Sequence, residues 1–353
     1  MQIKMEKLKT WALANVPFRW FERYKLGGNC LVISFDPLVI YMPDWAIRDM
    51  PLAILSVLRE LRQKPVYLLI SLSWAHDNPW NIDGLKIWQK KHLNKFPGHR
   101  VIILANDETE YQMLGDAGLQ TAFVNHNALL SPLTFRILHQ VEKRFDAVYD
   151  ARINPFKRHQ LAIGINSLAL ITARSPNHHE TAYNHSVKKM LPQAYWFNDP
   201  LAADYSNMSL PEINAAINQC RVGICLSAEE GPMFASTQYL LAGLPVVSTK
   251  SRGGRDEFFE PDYVRIVDDN AEAVANGVRD MCLCPIPPEE IRHRTLQKIE
   301  IHKNRFFELL DSICDDQNWR IIMRGRWDSW RVLPIGQLVT PDIVRRRIKD
   351  AAT

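Results

Sequence analysis

Residues 226–249 read LSAEEGPMFASTQYLLAGLPVVST. An apolar run ends at Ser227, Glu229-Glu230 and Gly231-Pro232 follow, MFASTQYLLAG (233–243) has helical character, and PVVST (245–249) is again apolar. A strand, a turn, a helix and a second strand in so short a span form the building block of a parallel sheet with helices on its faces. Whatever this unit binds belongs at the turn, because ligands of open parallel sheets sit outside the carboxyl ends of the strands.

The alternation extends in both directions. Strands are predicted at 30–35, 65–73, 99–106, 121–125, 145–152, 168–173, 194–198, 222–227 and 264–267. Helical tracts are predicted at 2–23, 45–63, 108–118, 131–144, 156–166, 179–190, 211–220, 271–282 and 289–314. In 45–63 the spacing of Ile47, Leu52, Leu55, Leu58 and Leu61 is helical, and Gly118 closes 108–118. Two such series in 353 residues predict an α/β protein of two doubly wound, Rossmann-like parallel-sheet domains facing a central cleft. The expected boundaries are 1–144, 145–315, and a basic C-terminal helical segment 316–353 that packs back on the first domain.

Composition is globular, 46% hydrophobic and 23% charged. The six cysteines form no disulfide framework, and Cys282-Leu283-Cys284 lacks a companion Cys/His pair at ligand spacing, so buried reduced thiols are expected. Lys and Glu interrupt any signal-peptide core in MQIKMEKLK, and no apolar run approaches a membrane span of about 20 residues. A reducing cytoplasm is the expected compartment, with the inner face of the membrane as the alternative address. The net charge of +4 does not argue for nucleic acid, but it is unevenly spread. Residues 1–28 carry six basic side chains against two acidic, and 318–353 carry eight against three, so the middle is net acidic. Both basic ends hold tryptophan (Trp11, Trp20; Trp319, Trp327, Trp330). They read either as solvated helix faces with Trp in the core or as a surface for anionic lipid.

Two further stretches carry chemistry. In FDAVYDARINPFKRH (145–159) a strand runs out at Arg152, Asn154-Pro155 makes a turn, and Lys157 is expected to open a helix. A forked guanidinium, a point-charge ammonium and a helix N-terminus on one rim suit a diphosphate, while a solvated basic turn is the plainer reading. In the opening stretch Pro232 suits a first helical position, Gly231 lets a ligand approach the backbone, and Glu230 can accept from sugar hydroxyls. Gln238, two turns deeper, can both donate and accept. Capping of the helix by Glu229 or Glu230, with Gln238 merely exposed, is the alternative. After the next strand, STKSRGGRDEFF (248–259) places Gly253-Gly254 where a backbone could approach a ligand or simply turn.

Together these pieces resemble the donor-binding domain of retaining GT-B glycosyltransferases of the family 4 type (glycosyl transferases group 1). The family's Arg and Lys, separated by four residues after the first strand of its second domain, match Arg152 and Lys157. Its Glu-Gly at a helix start matches Glu230-Gly231, and its Gly-Gly pair with a nearby acid matches Gly253, Gly254 and Glu257. The order and intervals agree over about 145–280. VIILANDETEYQMLGDAGLQTAFVNHN (101–127) is similar to the end of the family's first domain. In that register LLISLSWAHD (68–77) falls where the family has a strand ending in His-Asp. His76 is thus the candidate histidine of the catalytic centre, and His126, in VNHNA, its rival. Two departures stand out. The family's second Glu, which holds the ribose hydroxyls, is Gln238 here, and the glycine-rich loop after its first strand is missing from CLVISFDPLVIYMPD.

The resemblance implies transfer of a sugar from a nucleoside-diphosphate sugar to a glycan, lipid-linked or small-molecule acceptor, with retention. It implies that Arg152, Lys157 and Glu230 act in catalysis, with His76. It also implies that Gly231, Pro232, Met233, Phe234, Gln238, Gly253 and Gly254 join them around the donor. No cofactor and no metal are expected, since cationic side chains would stabilise the leaving diphosphate and no Asp-x-Asp motif lies on a suitable loop. A GT-B sugar-nucleotide epimerase and a non-catalytic nucleotide-sugar-binding protein remain as alternatives. A dinucleotide oxidoreductase lacks its Gly-x-Gly-x-x-Gly after the first strand.

Overall fold

The computed structural model describes residues 31–48, 57–173, 180–314 and 344–346. The predicted helix 2–23, the basic end 1–28, the tryptophans of both basic ends and all of 316–353 except 344–346 lie outside the described residues.

The first sheet has five strands in sequence order: β1 (Leu31–Phe35), β2 (Leu38–Pro43), β3 (Val66–Ser71), β4 (His99–Ala105) and β5 (Thr121–Phe123). β1 and β2 are antiparallel, and β2 to β5 are parallel. Period-two alternation sends Leu38, Ile40, Leu68, Ile70, Val101 and Ile103 to one face, where Ile82, Leu85 and Leu114 of the crossover helices cover them. Val39, Tyr41, Leu69, Ile102 and Leu104 face the other way, onto Phe306 and Leu310 of the helix Pro288–Ile313. The same 26-residue helix buries Ile291 and Ile299 in the core of the second domain, so one element spans both cores. Val344 joins the first core, and Arg345 donates to both carboxylate oxygens of Glu60, at 2.8 and 2.7 Å.

The second sheet is wholly parallel: β6 (Phe145–Asp150), β7 (Leu168–Ile171), β8 (Tyr195–Trp196), β9 (Cys220–Cys225), β10 (Val246–Thr249) and β11 (Val264–Val267). The spatial order is β11-β10-β9-β6-β7-β8. The winding reverses between β6 and β9, and that switch point opens a crevice at their carboxyl ends. β6 and β9 themselves lead into the two motifs at 152–157 and 229–238.

Local structure departs from expectation in four places. Residues 131–144 form turns instead of a helix, because side chains take over their backbone groups. Asn214 and Asn218 accept from the N–H groups of Arg136 (3.1 Å) and Leu138 (2.8 Å), and Arg292 donates to the carbonyls of Pro132 and Phe135 (both 2.7 Å). Residues 156–166 form two short 3₁₀ turns, Pro155–Lys157 and His159–Ala162, separated by Arg158 in the left-handed region at φ 52°. The hairpin strand β2 and the helix Pro79–Lys95 have no counterpart in the sequence reading. Only Ile82, Leu85 and His92 of that helix are buried, too thin a stripe for periodicity to register. Among the described residues Cys220, Cys225, Cys282 and Cys284 are free thiols, and no helix is long and apolar enough to cross a membrane.

Candidate active site

A cavity of about 560 Å³ occupies the crevice. Its second-domain wall comes from the segment after β6 (Asp150, Ala151, Arg152, Phe156, Lys157) and from Glu230 through Ala235 with Gln238. Pro43, Trp45, Ser73, Trp74 and His126 close it from the first domain. Arg152, Lys157, Glu230, Gly231, Pro232, Met233, Phe234 and Gln238 are thus brought together on one cavity, although they come from two separate strand–turn units.

Arg152 is exposed on the wall. Lys157 does not share its solvated rim: it is 8% exposed and its ammonium is paired with Glu230 Oε1. Ser227 Oγ donates to the same carboxylate oxygen at 2.6 Å. The expected helix N-terminus at Lys157 is absent as well, because the residue ends a 3₁₀ turn, so cationic side chains and not a helix dipole supply the positive field there. The helix Phe234–Leu241 starts two residues later than Pro232 suggests, with Met233 at its N-cap. Gln238 is buried inside it, 4% exposed, and its Oε1 has no partner. An orphaned acceptor on a cavity wall is costly unless something fills the cavity.

At Gly231, Gly253 and Gly254 it is protein that approaches the backbone, and Gly231 also lines the cavity. A Cβ on Gly231 would stand 2.5 Å from Ser73 O, across the domain boundary. Gly253, at φ 89°, would press a Cβ to 1.8 Å from Glu230 O, and Gly254 would meet Asn106 Cβ at 2.2 Å. Neither Gly253 nor Gly254 lines the cavity; what approaches their backbone is protein. They let the Arg252–Arg255 loop pack beneath Glu230 and against the first domain. Trp74 Nε1 donates to Glu229 Oε1 (2.8 Å), Asn125 Nδ2 to Gly254 O (2.8 Å), and Asn127 Nδ2 to Met233 O (3.0 Å) across the same seam.

The two histidines are separated. His76 lies outside the main cavity and lines a neighbouring one. The register that placed it in the centre counts along the strand; the chain bends after Ser73 and carries His76 behind Trp74. His126 does line the main cavity. Its Nδ1 meets Ser71 Oγ (2.9 Å) and Tyr41 Oη (3.1 Å), its ring packs 5.0 Å from Phe234, and burial lowers its pKa to about 4, so it is neutral.

Three further features carry no motif in the sequence. Asp150 sits on the wall at the end of β6, and burial raises its carboxyl to about 7 against the opposing pull of Lys157. Arg255 is fully buried and donates to Ser227 O (2.9 Å) and Thr249 O (2.7 Å), clamping the ends of β9 and β10 under the Glu230 turn. Trp45, Trp74 and Phe156 form an aromatic rim, with Trp74 and Phe156 edge-to-face at 5.4 Å. Among the described residues no group of three His, Cys, Asp or Glu stands close enough to hold a metal ion.

Two domains built on sheets of mostly parallel strands, a ligand-sized cleft between them and the helix Pro288–Ile313 shared by both cores define the GT-B class of fold. Solved structures similar to this chain include HepE from Anabaena in complex with UDP and glucose, with a TM-score of 0.55 at 15% identity over 76% of this chain and 83% of that one. They also include sucrose-phosphate synthase from Thermosynechococcus elongatus, with a TM-score of 0.56 at 13% identity over 78% of this chain and 74% of that one. No family model and no curated protein matches the chain.

Proposed function

We propose that this protein is a glycosyltransferase that moves a sugar from a nucleoside-diphosphate sugar to an acceptor hydroxyl, with retention and without a metal ion. The observation that carries this reading is the convergence of Arg152, Lys157, Glu230 and the unpartnered, buried Gln238 on one cavity at the switch point of the second sheet. UDP occupies HepE, which shares the fold. In this reading the diphosphate lies against Arg152 and Lys157, whose charge offsets the negative charge that builds on the leaving phosphate. Lys157 then turns part of its hydrogen-bonding capacity from Glu230 to phosphate oxygen. This frees a Glu230 oxygen for the sugar hydroxyls, so binding of the donor and exposure of the carboxylate are one event. Gln238 meets the ribose with its free Oε1, and its helix is covered on the first-domain side by His126 and Asn127.

Release of the nucleoside diphosphate from a panel of UDP-, GDP-, ADP- and dTDP-sugars, followed with and without excess chelator, tests the reading. Turnover of one donor that persists in chelator is the expected result. Turnover that vanishes in chelator and returns with Mg²⁺ or Mn²⁺ removes metal independence, and binding of a nucleotide-sugar with no turnover favours the non-catalytic alternative.

A further inference from the structure

A second cavity, of about 350 Å³, opens on the first domain beside the main one. The two are separated by the short helix Asp44–Arg48 and the Ser73–Trp74 turn: Pro43, Trp45 and Ser73 face the main cavity, Asp44, Ile47 and His76 the second. Its remaining wall is one stripe of the helix Pro79–Lys95, namely Trp80, Asn81, Gly84, Leu85 and Trp88. Trp80, Gly84 and Trp88 are four residues apart and so stack on one helix face. Trp80 is 85% exposed, although a large indole normally finds cover. Gly84 lies mid-helix with nothing within 4 Å of where a Cβ would stand. Alanine would fit there and favour the helix, so packing does not account for the glycine. It leaves a notch between two indoles.

The floor of the notch is polar. His76 Nδ1 lies 2.8 Å from Trp74 O, an acceptor only, so Nδ1 carries the proton and Nε2 is left as an acceptor. Asp44 Oδ2 stands 3.9 Å from that Nε2, while Oδ1 is taken up by the N–H groups of Trp45 (2.9 Å) and Ser73 (3.2 Å). Asn81 Nδ2 donates one N–H to Ala75 O (2.8 Å), which leaves its Oδ1 to accept and its second N–H to donate. Two buried acceptors side by side, a third nearby and flat apolar walls call for a ligand with adjacent hydroxyl donors and an apolar face. A pyranose has both.

We propose that this cavity is a saccharide subsite that holds a sugar unit of the acceptor, between Trp80 and Trp88 over the Gly84 notch, with its hydroxyls donating to Asp44 Oδ2 and His76 Nε2. The acceptor role rests on the glycosyltransferase reading; the saccharide site itself does not. Acceptor identity would then be set by this helix of the first domain, away from the donor contacts.

Saturation-transfer NMR with maltose, lactose, cellobiose and N,N′-diacetylchitobiose as probes tests the site without any donor. At least one disaccharide should bind the wild type. Binding should fall by about tenfold or more in Trp80→Ala, as for a truncated aromatic anchor, and recover in Trp80→Tyr. Gly84→Met, which fills the notch without a clash, should abolish binding while leaving thermal stability equal or higher. UDP affinity and donor hydrolysis should be unchanged in all three variants. No binding of any of the four probes, or binding unaffected by Gly84→Met, overturns the proposal while leaving the donor reading intact. Binding of tetramethylammonium in place of sugar, as in an aromatic cage for cations, overturns it too. Saccharide binding that survives in a protein with no nucleotide affinity keeps the site and removes its acceptor role.

Discussion

Lys157 and Arg152 look alike in the sequence, two basic side chains after one strand, yet they stand in opposite environments. Arg152 is exposed, whereas Lys157 is buried and satisfies Glu230. Their alanine variants should therefore separate. Arg152→Ala should fold with wild-type stability and lose donor turnover by orders of magnitude. Lys157→Ala should lose turnover and also about 3–5 kcal/mol of stability, because it strands a buried carboxylate; denaturant titration beside the kinetic assay checks both. Gln238→Ala should weaken donor binding by about 0.5–1.5 kcal/mol, the worth of a neutral hydrogen bond, and Gln238→Glu should be tolerated. If Gln238→Glu abolishes donor binding while Gln238→Ala leaves it unchanged, the residue does not face the ribose.

Asp150 adds a pH dependence. Its folded pKa is raised to about 7, so it is neutral below that and charged above. A diphosphate on the same wall is repelled only by the charged form, although Lys157 and Arg152 offset part of this. Donor affinity should fall as pH rises through about 7, and Asp150→Asn should flatten the profile; an affinity that rises over this range contradicts the assignment. The raised pKa also means that the folded state holds a proton the unfolded chain releases, so Asp150 lowers stability progressively as pH climbs from the ordinary carboxylate range through 7.

At the level of elements, the helix Phe234–Leu241 and the loop Arg252–Arg255 decide how Glu230 is presented. The loop depends on Gly253 at φ 89°, where a Cβ meets Glu230 O at 1.8 Å. Gly253→Ala should displace the Glu230 turn and lower UDP affinity without any direct contact to the ligand, measurable by calorimetry; unchanged affinity would show that the turn is held otherwise. The strands and helices here were legible, because apolar runs alternating with periodic tracts leave few other architectures. The helix at 131–144 was misread because Asn214, Asn218 and Arg292, remote in sequence, supply the hydrogen bonds that a helix would have supplied itself. The glycines were legible as points of close approach, but what approaches Gly231 and Gly254 comes from the other domain, and what approaches Gly253 is Glu230 O. The same limit applies to the histidines. His126 reaches the cavity only through packing of Asn125 and Asn127 across the seam, which no spacing along the chain expresses.

Across the whole molecule, the helix Pro288–Ile313 belongs to both cores, and Phe306 packs edge-to-face on Tyr41 at 6.4 Å. Phe306→Ala should cost about 3–5 kcal/mol, as for a buried aromatic. The two domains thereby hold one cleft between them, and the account stands or falls on what that cleft binds. Isothermal titration of UDP, GDP, ADP and dTDP into the wild type and Arg152→Ala is the most direct measurement. One nucleoside diphosphate should bind the wild type in the absence of divalent metal and bind Arg152→Ala at least about tenfold more weakly, the loss of a charge-assisted contact. Absence of binding by all four, or equal affinity in the variant, would contradict it.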